Sequence, residues 1–137
     1  MLNNVAFTNI SPQNLEEEAL ALHIQKLNIA DTLFKNESIK NKIIEDAYIF
    51  LNAPYLWGGK SPFGIDCSGF TQQVYKLNGI KLPRDAYQQA NLGSTYSFVE
   101  ESEAGDLAFF DNAEGKIIHV GIVLGDGKII HASGKVR

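Results

Sequence analysis

One cysteine, Cys67, stands in the run Ile65-Asp66-Cys67-Ser68-Gly69-Phe70, and two histidines, His119 and His131, follow it. These three side chains can supply a nucleophile, a base and a partner for the base, in that order along the chain. A thiolate attacks a carbonyl carbon, an imidazole takes the thiol proton, and a further polar group fixes the tautomer and orientation of that imidazole. A lone cysteine is more often a small buried hydrophobe than a reactive group, so its surroundings decide. A structural zinc ion bound by Cys67, His119 and His131 is the competing chemistry. It wants a fourth ligand, commonly from a C-x-x-C pair, and the chain has no second cysteine. No metal or other cofactor is expected.

The elements that must position these residues follow from local patterns. Asp66 is a good N-cap type, and Phe70, Val74 and Leu77 form one apolar stripe, so a helix is expected from Asp66 to Asn78 with Gly79 just past its end. Cys67 and Ser68 then sit in the first turn. Free N–H groups and the helix dipole there are expected to lower the thiol pKa and to offer donors to an oxyanion. Gly69 is expected to keep that turn open to a substrate. The Asp66 carboxylate works against the thiolate, unless it turns to the backbone or receives a cationic part of the substrate.

After Gly93 the chain reads as strands: Asp106 to Phe110, Lys116 to Leu124, and Lys128 to Ala132. With Gly125-Asp126-Gly127 as a three-residue loop, Leu124 opposes Lys128 and Gly121 opposes His131. His119 and His131 then share one face of the sheet, and Gly121 leaves room between them. A two-residue loop would divide the histidines between faces. His131 is expected to accept a hydrogen bond from Nδ1–H of His119.

The remaining elements are helical or irregular. Residues 1–14 read as an arm. Residues 15–28 read as a helix with acidic residues in its first turn, carrying His23 as a surface or partly packed side chain. Ile39, Ile43, Ala47, Phe50 and Leu51 mark a helix over 38–51, stopped by Asn52-Ala53-Pro54. A loop over 55–64 carries Tyr55 and Trp57, and Trp57 is expected to pack into the core. A short helix is expected over about 84–92. Helices first and an antiparallel meander after them give the α+β class.

Composition sets outer bounds. The chain has 137 residues, one domain of ordinary size. A net charge of −4 with no basic block gives no nucleic-acid footprint. One cysteine forms no internal disulfide, and no apolar run spans a bilayer. Met1 to Gln13 lack the pattern of a signal peptide. A cytoplasmic location is expected if this N-terminus is genuine, and a periplasmic or secreted one otherwise.

Six motifs occur in order: Tyr55-Leu56-Trp57-Gly58-Gly59, Asp66-Cys67-Ser68-Gly69-Phe70, Leu82-Pro83-Arg84, Gly105-Asp106-Leu107-Ala108-Phe109-Phe110, His119-Val120-Gly121-Ile122 and His131-Ala132. Over about residues 40–134 the chain resembles the NlpC family of bacterial cell-wall cysteine peptidases. The resemblance implies a papain-like fold, with helices packed on a central antiparallel sheet and the nucleophile at a helix N-terminus. It implies cleavage of peptidoglycan stem peptides or muropeptides between D-γ-glutamate and a diamino acid. Cys67 matches the nucleophile, His119 the base, His131 the third polar residue, and Tyr55 a tyrosine beside the oxyanion site. Asp66, Ser68, Arg84 and Trp57 would contact substrate, Asp66 by receiving a free amine. Asp85-Ala86 departs from the serine or threonine of some members. Residues 1–37 read as an N-terminal extension, a remnant or partner of an upstream β-barrel wall-binding module. Residues 38–137 read as the peptidase domain, with further residues implied after the His131 strand. The alternatives are a peptidoglycan amidase or an acyltransferase of related fold, or a non-catalytic wall-binding domain.

Overall fold

A computed structural model of the chain describes residues 21–27, 37–96 and 98–137. The residue 1–14 arm and the ends of the expected 15–28 helix lie outside them.

The centre of that expected helix is a strand. β1 (Ala21–Leu27) runs antiparallel to both of its neighbours, with Leu22 opposite Phe110 and Lys26 opposite Ser94. In this stretch Leu22 and Ile24 alternate with His23 and Gln25, the two-residue period of a strand. Its partners lie some seventy to ninety residues away in sequence, which local pattern does not register.

Helix α1 (Glu37–Ile49) ends where expected, and Asn52 takes a positive φ of 70° on the way out. A small hairpin, β2 (Lys60–Ser61) and β3 (Gly64–Ile65), precedes helix α2 (Cys67–Leu77). Gly79, at φ 76°, closes α2: its own N–H donates to Lys76 O, and the N–H of Ile80 donates to Tyr75 O. This is the left-handed cap that glycine favours. Helix α3 (Ala86–Gln89) is one turn, much shorter than the expected 84–92.

The main sheet has the order β4-β1-β5-β6-β7, with β4 (Gly93–Thr95), β5 (Leu107–Asp111), β6 (Ile117–Gly125) and β7 (Lys128–Ile130). A second hairpin, β8 (Ala132–Ser133) and β9 (Lys135–Val136), follows. Both faces of the main sheet are covered. Leu107, Phe109, Val120, Ile122 and Ile130 pack with Ile43, Phe70, Val74 and Tyr75 of the helices, while Ala108, Phe110, Val123 and Ile129 pack with Val99. The alternation along β5 assigns each residue to its side.

The β6–β7 hairpin reaches the expected register by an unexpected route. Ile122 opposes Ile130 and Val123 opposes Ile129, as expected, but Gly125 opposes Lys128, so the loop has only two residues. Asp126 and Gly127 carry φ of 54° and 73°, the primed turn that suits hairpins. The register shifts between Val123 and Gly125, and this irregularity absorbs the missing loop residue. A two-residue loop therefore leaves the histidines on one face.

Candidate active site

Asp66 caps α2: the Gly69 N–H donates to its Oδ1 at 2.7 Å. The same carboxylate is gripped by Arg84, Nη1 to Oδ1 at 3.0 Å and Nη2 to Oδ2 at 2.8 Å, and Oδ2 also accepts from the Gly58 N–H at 3.0 Å. With a long bond from the Ser68 hydroxyl to Oδ1 at 3.5 Å, five donors saturate one carboxylate. Burial works to raise its pKa, but the Arg84 hydrogen bond and the backbone donors outweigh it and hold Asp66 below the ordinary carboxylate value. A substrate amine would have to displace one of these donors. Nη1 of Arg84 also donates to Ser68 Oγ at 3.0 Å.

Gly69 has a different role from the one expected. A Cβ there would stand 2.4 Å from Gly59 O and 2.8 Å from Asp66 Oδ1. The glycine lets the β2–β3 hairpin and the cap close onto the helix.

Cys67 is partly buried in the first turn of α2. Its thiol pKa is raised, contrary to the helix-terminus argument. Burial is the leading cause. The Val120 N–H pulls the other way, the Asp66 carboxylate adds to the rise, and the N–H groups of Ser68 and Cys67 also favour the thiolate. Desolvation exceeds the helix-end effect. The Val120 contact places the β6 strand that carries His119 against the sulfur.

His119 and His131 meet as the hairpin requires, Nε2 of His119 to Nδ1 of His131 at 2.8 Å, with ring planes at 80°. The engaged nitrogen of His119 is thus Nε2, not the expected Nδ1. A Cβ at Gly121 would lie 3.0 Å from the His131 Cβ, so the glycine does leave room. His131 is 1% exposed and its Nε2 has no hydrogen-bond partner. Burial lowers the pKa of both rings, so both are neutral near pH 7. Arg137 clamps the His131 backbone through both N–H···O bonds.

Between Phe110 and Asp111 the β5–β6 register shifts, so that Phe110 opposes His119 while Asp111 opposes Ile117. Ile118 is the extra residue, and such a bulge redirects the side chain beside it. The Phe110 ring lies 5.7 Å from the His119 ring.

A cleft of about 720 Å³ opens over the start of α2, lined by Tyr55, Trp57, Asp66, Cys67, Ser68 and Arg84, with Asp85, Tyr87, Ile117 and Ile118 beyond. Tyr55 is held by its N–H to Gly134 O at 3.0 Å, and its hydroxyl pKa is raised by burial, then by Cys67 and Asp66. Trp57 does not pack into the core. It is 86% exposed on the cleft rim, because its loop is anchored by backbone bonds to Ile65 and Asp66 rather than by its ring.

One supporting residue escaped the sequence reading. Gln89 is fully buried; its Nε2 donates to Ser68 O and Pro83 O, and its Oε1 accepts from Thr71 Oγ1 at 2.7 Å. It ties α3 to the turn beside Cys67 and to the residue before Arg84. A polar residue within an otherwise apolar packing position was the available signal, but a single exposed-type residue gives no direction.

Comparison with known proteins decides the family. The NlpC/P60 family matches residues 52–137. This chain belongs to the NlpC/P60 family. It is 49% identical over 92 residues to the gamma-D-glutamyl-L-lysine dipeptidyl-peptidase of Bacillus subtilis, covering 66% of this chain and 31% of that protein. The matched part of the chain spans 17% to 36% of the length of the curated relatives. The crystal structure of the NlpC/p60 domain of peptidoglycan hydrolase SagA is 39% identical, with a TM-score of 0.64, covering 72% of this chain and 86% of that one. An NlpC/P60 family protein of Bacillus cereus is 40% identical with a TM-score of 0.66, covering 72% of this chain and 33% of that one. The NlpC/P60 fold is papain-like α+β, as the resemblance implied.

Proposed function

We propose that this domain is a cysteine peptidase that hydrolyses the γ-D-glutamyl–diamino acid bond of peptidoglycan stem peptides. The observation that carries the reading is the His119–His131 pair, which leaves Nδ1 of His119 as the free base on the strand that touches the Cys67 sulfur. The B. subtilis relative's name, at 49% identity, supports the choice of bond.

In the proposed reaction the Cys67 thiol gives its proton to Nδ1 of His119 as the sulfur attacks the γ-carbonyl carbon. The N–H of Cys67 and the Tyr55 hydroxyl, kept protonated by its raised pKa, donate to the oxyanion. The C–N bond breaks, the imidazolium protonates the leaving amine, and a thioester is left. Water, deprotonated by the same imidazole, cleaves the thioester and restores the thiol. His131 is a positioning residue that holds the His119 ring through Nε2.

Because the free thiol and free imidazole are both neutral, proton transfer accompanies attack rather than preceding it. The Asp66–Arg84 pair lines the cleft beside Cys67 and is the group that would face the N-terminal side of the peptide.

The test is digestion of L-Ala-γ-D-Glu-diaminopimelate with product identification by mass spectrometry. The wild type should release L-Ala-D-Glu, and Cys67→Ala and His119→Ala should abolish release. Full turnover by Cys67→Ala would overturn the reading. On intact peptidoglycan, release of unsubstituted glycan in place of the dipeptide would assign an amidase.

A further inference from the structure

A second groove, of about 430 Å³, lies along α2 beyond the catalytic cleft. Lys60, Lys76 and Lys81 line it, with Gln72, Gln73, Ile80 and Leu82. No acidic side chain lines it. The three ammonium groups are exposed and form no ion pair among the described residues. Lys40, Lys42 and Lys116, by contrast, each lie against a carboxylate. In a chain of net charge −4, this gathers around one concavity three cations that have no ion pair among the described residues. Lys76 sits in the last turn of α2, where a cation also suits the helix dipole. Lys60 and Lys81 have no such structural use.

The walls of this groove are continuous in sequence with those of the cleft. Gly58 lines the cleft and Lys60 the groove; Leu82 lines the groove and Arg84 the cleft. The Asp66–Arg84 ion pair, with Gly58 bonded to Asp66, belongs to the cleft side of this boundary. Gln72 donates Nε2 to Leu82 O at 3.0 Å, which fixes the far wall to the helix. Like charges gathered without counter-charges raise the local positive potential and attract anions. Lysine ammonium groups act as point charges for single oxyanions, so three of them around an apolar floor suit a ligand with several separated anionic groups.

We propose that the groove is a second binding site, for a multivalent anion carrying phosphate or carboxylate groups. The proposal does not rest on the catalytic reading.

Isothermal titration with inorganic tripolyphosphate and with citrate, in about 20 mM salt, tests it with each of the two anionic chemistries. Each of Lys60→Gln, Lys76→Gln and Lys81→Gln should weaken the tighter probe about threefold, and the triple variant more than tenfold. Binding should also weaken as salt is raised to about 200 mM. Melting temperature and the rate of Cys67 alkylation should stay unchanged in the triple variant, which shows that it is folded. Wild-type affinity in the triple variant, or no binding of either probe at low salt, would overturn the proposal.

Discussion

Asp66→Asn and Arg84→Met should move the reactivity of Cys67 in opposite directions. The Asp66 carboxylate raises the Cys67 pKa, while the Arg84 guanidinium lies close enough to the sulfur for the two to interact. Asparagine at position 66 removes the negative charge but keeps an oxygen for the Gly69 N–H, so the cap survives. The arginine then faces the thiol with its charge no longer balanced. In Arg84→Met the carboxylate keeps its Gly58 and Gly69 donors but loses its counter-charge. A unit charge acting at short range is worth at least about 1 kcal/mol, its value at about 4 Å in water. That is about a fivefold change in thiolate fraction at fixed pH. Iodoacetamide alkylation of Cys67, followed by mass spectrometry across about pH 6 to 10, should therefore be about fivefold faster at neutral pH in Asp66→Asn and about fivefold slower in Arg84→Met. The arginine side chain is 30% exposed, so solvent screens the pair, and losing it should cost only about 1 kcal/mol of stability, a fall of about 4 °C in Tm. Shifts of the same sign in the two variants, or neither beyond about twofold, would refute the electrostatic reasoning.

Three further outcomes follow from the same geometry. The folded histidine pair takes up protons only well below the ordinary value of 6.5, so the unfolded chain binds more protons as pH falls through that value; stability should drop by up to about 1.4 kcal/mol per pH unit for each ring, measured by urea melts, and His119→Gln should flatten the slope. Gly69→Ala drives a methyl into Gly59 O and should cost about 3 kcal/mol, a fall of about 10 °C in Tm, with alkylation of Cys67 altered as the cap shifts. Gln89→Leu removes three buried hydrogen bonds, leaving the Thr71 hydroxyl to the Ser68 carbonyl at 3.0 Å and the Pro83 carbonyl without its Gln89 donor, and should cost about 1–3 kcal/mol in thermal unfolding; an unchanged Tm would remove Gln89 from the support of the site.

Short-range signals in the chain were enough for α1, for α2 with its Asp66 cap and Gly79 stop, and for β5, β6 and β7. Each rests on a period or a cap written within a dozen residues. The pairing of His119 with His131 was also legible, because hairpin register is a local property and Gly121 marks the gap between the rings. What folding alone decided depends on partners distant in sequence. Strand β1 exists because β4 and β5 flank it, not because of its own helical or extended preference. Trp57 faces solvent because backbone bonds to Ile65 and Asp66 set its loop, whereas hydrophobicity alone favours burial. Arg84 lies eighteen residues from Asp66, and only the packed cleft turns the two motifs into one ion pair. The thiol pKa makes the same point: the helix end that would lower it is local, but the burial that raises it is contributed by the whole fold, and desolvation is the larger effect.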